Sequence, residues 1–128
     1  MTAVTLNPEH TFDQSLHPET LDWFRRTFGK PTEAQMLCIP DIVSKRSVLL
    51  SSPTGSGKTL AGFLGIIDRL AKEHHEGRLA PHGIRCVYVS PLRALAYDIE
   101  KNLKQPVAGL GLDEFITVGL RTGDTSAA

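Results

Sequence analysis

The residues with the clearest chemical purpose are Gly55-Ser56-Gly57-Lys58-Thr59, which close the stretch SSPTGSGKT that begins at Ser51. Glycine lets the backbone take positive φ and approach a ligand closely, so that successive N–H groups converge on one anion. A helix starting at Lys58 would add the positive end of its dipole. Lys58 supplies a point charge on a long stem that reaches terminal phosphates, and the Thr59 hydroxyl is a ligand for Mg²⁺. The run Thr54, Gly55, Ser56, Gly57, Lys58, Thr59 and Leu60 is therefore read as a cradle for a phosphate chain. Within it Lys58 and Thr59 take the catalytic roles, Thr59 through Mg²⁺. The full phosphate-loop pattern would put glycine at position 52, where this chain has Ser52, a small residue that can serve in its place. The plain alternative is a Gly-rich turn before an ordinary helix. A short apolar run before the loop and a helical pattern after it favour the phosphate cradle.

Two flanking stretches narrow the chemistry. The first is Phe28-Gly29-Lys30-Pro31-Thr32-Glu33-Ala34-Gln35. Thr32 and Gln35 make a T-x-x-Q capping box, which is enough to start a helix. A side-chain amide also pairs a donor with an acceptor and so matches the N6–H and N7 edge of adenine, which makes Gln35 a candidate reader of the base. The second is Ser90-Pro91-Leu92-Arg93-Ala94-Leu95-Ala96, at the change from a strand pattern to a helix pattern. Ligands of open α/β folds bind at that edge of the sheet. A helix N-terminus beside Arg93 would suit a nucleic-acid backbone phosphate, while Leu92, Leu95 and Ala96 read as core.

The elements that must position these residues follow from periodicity and punctuation. Residues 1 to about 17 read as an irregular lead-in. Pro18 to Phe28 reads as a helix, with Leu21, Phe24 and Phe28 on one face and Gly29 as its stop. A second helix starts after Thr32, is interrupted at Pro40 and ends near Lys45-Arg46. Val48 to Leu50 reads as a buried strand. Lys58 to about Glu73 reads as a helix through Leu60, Phe63, Leu64, Ile67 and Leu70. Residues 74–83 read as a polar connection, Ile84 to Val89 as a strand, Leu92 to about Lys104 as a helix and Phe115 to Leu120 as a third strand. The order β-α-β-α-β after a helical preface predicts an α/β fold, a parallel sheet with flanking helices.

Bulk properties set the class. The 128 residues suffice for one modest domain, and 41% hydrophobic with 22% charged residues is ordinary for a soluble globular protein. Fourteen basic and fourteen acidic residues give a formal net charge of zero, so no basic field covers the whole chain; a local nucleic-acid groove stays open. Cys38 and Cys86 follow no metal spacing and read as free, reduced and buried. MTAVTLNPEH lacks the features of a signal peptide, and no apolar stretch approaches a membrane span, so the cytoplasm is the expected compartment. His74-His75 read as part of a solvated loop without a third metal ligand nearby. Phe12 and Trp23 read as packing residues with stacking on adenine as the alternative, and Asp98, Glu100, Lys101 and Lys104 as the outer face of a helix.

Taken together, F-x-x-P-T-x-x-Q, then SPTGSGKTLAGFL, then VYVSPLRALAYDIEKNL and GLRTGDTSA resemble the first RecA-like domain of superfamily 2 DEAD/DEAH-type helicases, most closely the large helicase-related (Lhr-type) branch. The resemblance runs over roughly residues 12 to 128. It implies a P-loop NTPase fold, use of ATP and Mg²⁺, translocation on a DNA or RNA strand, and Gln35 as the adenine contact. It also implies that Pro91, Arg93 and Ala94 lie along the nucleic acid, as do Thr122 and Gly123 of the TGD element; for the latter an ordinary turn after a strand is an equal alternative. The implied division is a lead-in over 1–17, a helical Q-motif region over 18–46 and an incomplete RecA-like domain over 47–128.

Hydrolysis in such motors also needs an Asp-Glu pair at the end of an apolar strand and arginines from a second domain. The one Asp-Glu pair here, Asp113-Glu114, precedes a strand pattern and so sits at the wrong edge of the predicted sheet. The segment alone is therefore expected to be inactive, to be cut inside a domain, and to be poorly soluble, because sheet edges and apolar helix faces would lie uncovered. Two other classes stay open: a standalone nucleotide-binding module without catalysis, and another P-loop enzyme such as a small-molecule kinase.

Overall fold

Asn7 and Pro8 open the first helix, and the same punctuation recurs along the chain. The structure, a computed structural model, describes residues 7–53, 55–90, 96–123 and 125–126, with 96–98 by backbone only. Helix α1, Pro8–Ser15, is capped by the Asn7 carboxamide, which accepts from Glu9 N at 3.0 Å. Sequence reading treats this stretch as irregular, because it is short and buries a single apolar residue, Phe12. Helix α2, Pro18–Phe28, has Pro18 in its first turn and ends at Gly29, whose φ of 77° is the left-handed form glycine tolerates. Helix α3, Glu33–Val43, starts at Thr32 with both halves of the capping box formed. Helix α4, Lys58–His75, follows the Gly-rich loop, and helix α5 is Ala96–Gly109. His74 and His75 thus belong to the last turn of α4 and not to a loop.

The chain divides into two units, 1–79 and 80–128. In the first, α3 packs on both α4 and α1. Its core gathers Phe12, Trp23, Phe24, Ile39, Phe63, Leu64 and Ile67. Phe12 meets Phe24 edge to face at 5.3 Å, and Trp23 meets Phe28 likewise at 5.7 Å, so both candidate stacking rings serve packing. Close approach of α3 to α4 depends on Gly65, where a Cβ would come within 2.5 Å of Ile42 Cγ2. Cys38 is buried beside this interface, whereas Cys86 is exposed, against the expectation that both are buried.

A buried carboxylate ties the helices together. Asp68, fully buried on α4, accepts from the backbone N–H of His17 at 2.9 Å. Lys72 Nζ lies 2.9 Å from Asp68 Oδ2, an ion-pair separation without hydrogen-bond alignment, and donates to the Ser15 carbonyl at 2.5 Å. The α1–α2 turn is thus fastened to α4 at two points. Asp68→Ala is expected to cost about 2 kcal/mol, because it leaves the His17 amide without its acceptor and removes the carboxylate beside the Lys72 ammonium, which keeps only the Ser15 carbonyl. Urea unfolding followed through Trp23, the single tryptophan, measures this; an unchanged midpoint would mean the fastening is idle.

The second unit holds α5, with Val107 and Leu112 buried. Gly111 takes a φ of 68° and Leu112 N donates back to the Val107 carbonyl at 2.9 Å, which ends the helix. Glu100 and Lys104 pair along α5 at 2.9 Å. Asp113 and Glu114 lie exposed in a turn.

The predicted parallel sheet is not shown. Among the described residues no strand forms: 48–50, 84–89 and 115–120 run without ladder partners. Their apolar side chains are left in solvent, Leu49 at 98% exposure, Ile84 at 85% and Val89 at 84%. The physical reason is that a strand exists through its neighbours. Helices satisfy their own backbone locally, whereas a parallel strand needs N–H and C=O groups from segments distant in sequence. Apolar, β-branched composition supplies the propensity for such pairing and no partner.

Candidate phosphate-loop site

The loop between residue 50 and α4 is shaped by two left-handed glycines. Gly55 has φ 84° and Gly57 φ 82°. Gly57 is the N-cap residue of α4, so no side chain caps the first turn of that helix. Its leading N–H groups are thereby left for an anion. Nothing lies within 4 Å of where a Cβ at Gly55 would stand, whereas one at Gly57 would collide with the Gln35 amide. Gly57 is thus needed for close approach as well as for its φ.

Polar contacts hold the loop from inside and from α3. Lys58 Nζ donates to the Ser52 carbonyl at 2.6 Å. The Ser52 and Ser56 hydroxyls are hydrogen-bonded to each other, and Ser56 N reaches the Pro53 carbonyl at 3.3 Å. Serine at position 52 therefore contributes a cross-loop bond that glycine could not make. From α3, the Thr32 hydroxyl donates to the Ser56 carbonyl at 2.6 Å, and Gln35 Nε2 makes a long contact of 3.5 Å with the Gly57 carbonyl. Gln35 is buried, and its Oε1 accepts from Thr32 N at 2.9 Å.

The candidate residues fall into three groups. Gln35, Ser56, Gly57 and Lys58 are brought together, with Gly55, Thr59 and Leu60 beside them; Lys58 and Thr59 are exposed and Leu60 is half-buried. Thr122 and Gly123 belong to the second unit, in a turn where Thr122 N donates to Thr125 Oγ1 at 2.8 Å and Thr125 N returns to the Thr122 carbonyl at 3.1 Å. Thr54, Pro91, Arg93 and Ala94 lie outside the described residues. Sequence reading missed the structural part that Thr32 plays toward the loop, because Thr32 and Ser56 are 24 positions apart; the only local signal is a capping hydroxyl that has a second acceptor within reach.

The site is suited to binding an anion. Burial pushes the Cys38 thiol up from its ordinary value, and Asp41 adds to the effect, so it stays protonated and inert. A triphosphate with Mg²⁺ fits what is present: an uncapped helix start, a glycine with open space above it, an exposed ammonium and an exposed threonine hydroxyl.

The comparisons agree with this chemistry. The family model described as DEAD/DEAH box helicase matches residues 32–127. The chain is 50% identical over 119 residues to an ATP-dependent helicase Lhr-Core of Methanothermobacter thermautotrophicus, which covers 88% of this chain and 14% of that protein. It is 36% identical over 132 residues to a Lhr helicase/uracil glycosylase of Escherichia coli K12, covering 94% of this chain and 9% of that protein. It is 39% identical over 90 residues to a probable ATP-dependent RNA helicase DDX49 of Mus musculus, covering 70% of this chain and 17% of that protein. No solved structure matches the chain. The chain thus spans a small fraction of the curated relatives it matches, and no described helix is long and apolar enough to cross a membrane.

Proposed function

Because the chain belongs to the DEAD/DEAH box helicase family, we propose that it is the ATP-binding portion of an ATP-dependent nucleic-acid helicase of the Lhr type. The observation that carries this reading is the direct seating of Thr32 and Gln35 on the Ser56 and Gly57 carbonyls. A residue able to read a base and a loop able to hold phosphates thereby share one frame. The backbone from Thr54 to Leu60 binds the phosphate chain. Lys58 leaves the Ser52 carbonyl, to which it donates in this structure, and turns its ammonium to the terminal phosphates. The Thr59 hydroxyl would hold Mg²⁺, which supplies charge neutralisation on those phosphates.

Gln35 has a hydrogen-bonding partner for each amide atom in this structure, and the 3.5 Å contact to Gly57 is the weaker. In this reading its NH₂ group gives up that contact for adenine N7, and Oε1, which has two lone pairs, keeps the helix cap with one and accepts adenine N6–H with the other, a donor that guanine O6 does not offer. Gln35→Ala is expected to shrink the preference for ATP over GTP by roughly tenfold, as one lost base hydrogen bond implies. Steady-state turnover with each nucleotide measures it; a parent protein that uses ATP and GTP equally would refute the base-reading role.

Pro91, Arg93 and Ala94, with Thr122 and Gly123, are assigned to the nucleic-acid strand. The second RecA-like elements that complete hydrolysis have no counterpart in residues 1–128, so the segment alone is proposed to be inactive. The test is ATP hydrolysis by the full-length polypeptide with and without single-stranded DNA and RNA. Stimulation by one of them of about tenfold or more is expected for a motor coupled to its track. Turnover indifferent to both would favour another class of P-loop enzyme.

A further inference from the structure

We propose that His17, Glu19 and His75 form a binding site for a divalent transition metal, one that joins the start of α2 to the end of α4. His17 is the N-cap residue of α2, Glu19 lies in its first turn, and His75 is the last residue of α4. The two imidazole rings are stacked, with centroids 4.3 Å apart and planes 4° from parallel. His75 Nε2 lies 2.9 Å from Glu19 Oε2. One ligand atom from each of the three residues falls within 4.8 Å of the others.

The donor set selects the ion. Two imidazole nitrogens and one carboxylate suit Zn²⁺, Ni²⁺ or Cu²⁺, whereas Mg²⁺ and Ca²⁺ favour all-oxygen sites. Tetrahedral Zn²⁺ with bonds of about 2.0–2.1 Å places its ligand atoms roughly 3.3 Å apart, so separations that reach at most 4.8 Å must close by up to about 1.5 Å, while the 2.9 Å His75–Glu19 pair opens slightly. Rotation of the Glu19 and His75 side chains, 62% and 38% exposed, can supply that movement. The backbone need not move. The His17 amide is held by buried Asp68 at 2.9 Å, and Lys72, one turn before His75, is held by the Ser15 carbonyl at 2.5 Å. Both walls of the site are fixed by contacts that do not involve the ligating side chains.

One term opposes loading. His17 Nδ1 accepts the Glu19 N–H at 3.2 Å. A metal on Nδ1 displaces that amide, and a metal on Nε2 moves the ring proton to Nδ1 and ends its role as acceptor. With three protein ligands, a surrendered cap and water in the remaining position, affinity in the micromolar range is expected, weaker than that of closed four-ligand zinc sites. The 18-residue length of α4 puts this cluster roughly 25 Å along the helix from Lys58. The metal therefore acts as a staple for α2 and α4, separate from any Mg²⁺ at the phosphate loop.

The test is isothermal titration of ZnCl₂ into chelator-stripped intact polypeptide at neutral pH, without nucleotide. His17→Asn keeps a capping oxygen while removing the imidazole, Glu19→Gln keeps a partner for His75, and His75→Gln removes the α4 ligand. The expected result is a saturable equivalent of Zn²⁺ that is weakened at least about tenfold in His17→Asn and in His75→Gln, and is retained in His74→Gln. A metal-dependent rise of a few degrees in melting temperature should vanish in the same variants. Co²⁺ substitution should give a visible absorption band that His75→Gln abolishes. Binding that is absent, that survives both histidine substitutions, or that depends on His74 alone overturns the site. Metal-free melting temperatures near the parent's show that the variants are folded.

Discussion

Lys58→Ala is expected to lower ATP turnover by the full-length polypeptide by roughly 10²–10³-fold or more while leaving the fold intact. The lysine is exposed, and its ammonium donates to a carbonyl of its own loop, so truncation removes little packing. What it removes, under the proposed function, is the positive charge that would follow the terminal phosphates into the transition state. Initial-rate assays with saturating Mg²⁺ and nucleic acid read the effect, and circular dichroism with thermal melting shows that the helices persist. Retained turnover would remove the phosphate-loop assignment.

Gly57→Ala attacks the same site through geometry instead of charge. Its φ of 82° is strained for any residue with a Cβ. The added carbon would collide with Gln35 Nε2 and lie 3.1 Å from Gln35 Cδ and 3.2 Å from Thr32 Oγ1, so Gln35 must rotate away and the Thr32 hydroxyl must give by a few tenths of an ångström. The loop thereby loses the contact of Gln35 with Gly57 and strains that of Thr32 with Ser56. Nucleotide affinity is expected to fall by about 10²-fold, with a loss of about 1–2 kcal/mol in unfolding free energy. Gly55→Ala separates the two causes. It shares the positive φ but has open space around its Cβ position, so it should be the milder change. Equal effects of the two substitutions would show that the contact between loop and α3 is unimportant.

These two residues mark what the sequence discloses. The phosphate loop is legible because its parts are contiguous: positive-φ glycines, a lysine and a hydroxyl at fixed offsets before an apolar helix. The bounds of α2 and the starts of α3 and α4 are legible for the same reason, since Pro18, Gly29, Thr32 and Gly57 act on their immediate neighbours. Helix α1 escapes because its signals, Asn7 and Pro8, precede a stretch with too few apolar residues to show a period. The sheet is a different case. Val87 and Val89 have the composition of a buried strand, yet they stand exposed without a ladder, because pairing is a property of distant segments. The cluster of His17, Glu19 and His75 fails for the same physical reason: Glu19 and His75 are 56 positions apart and meet only once folding brings the start of α2 to the end of α4.

The proposed recognition of nucleotide depends on one joint, Gln35 and Thr32 against the loop at Ser56 and Gly57. Equilibrium titration of the full-length polypeptide with ATP, GTP and inorganic triphosphate in the presence of Mg²⁺ examines that joint most directly. Saturable 1:1 binding of ATP, roughly tenfold or more tighter than GTP and lost in Lys58→Ala, is the expected result. Equal affinities for ATP and GTP, or binding that survives Lys58→Ala unchanged, would contradict it.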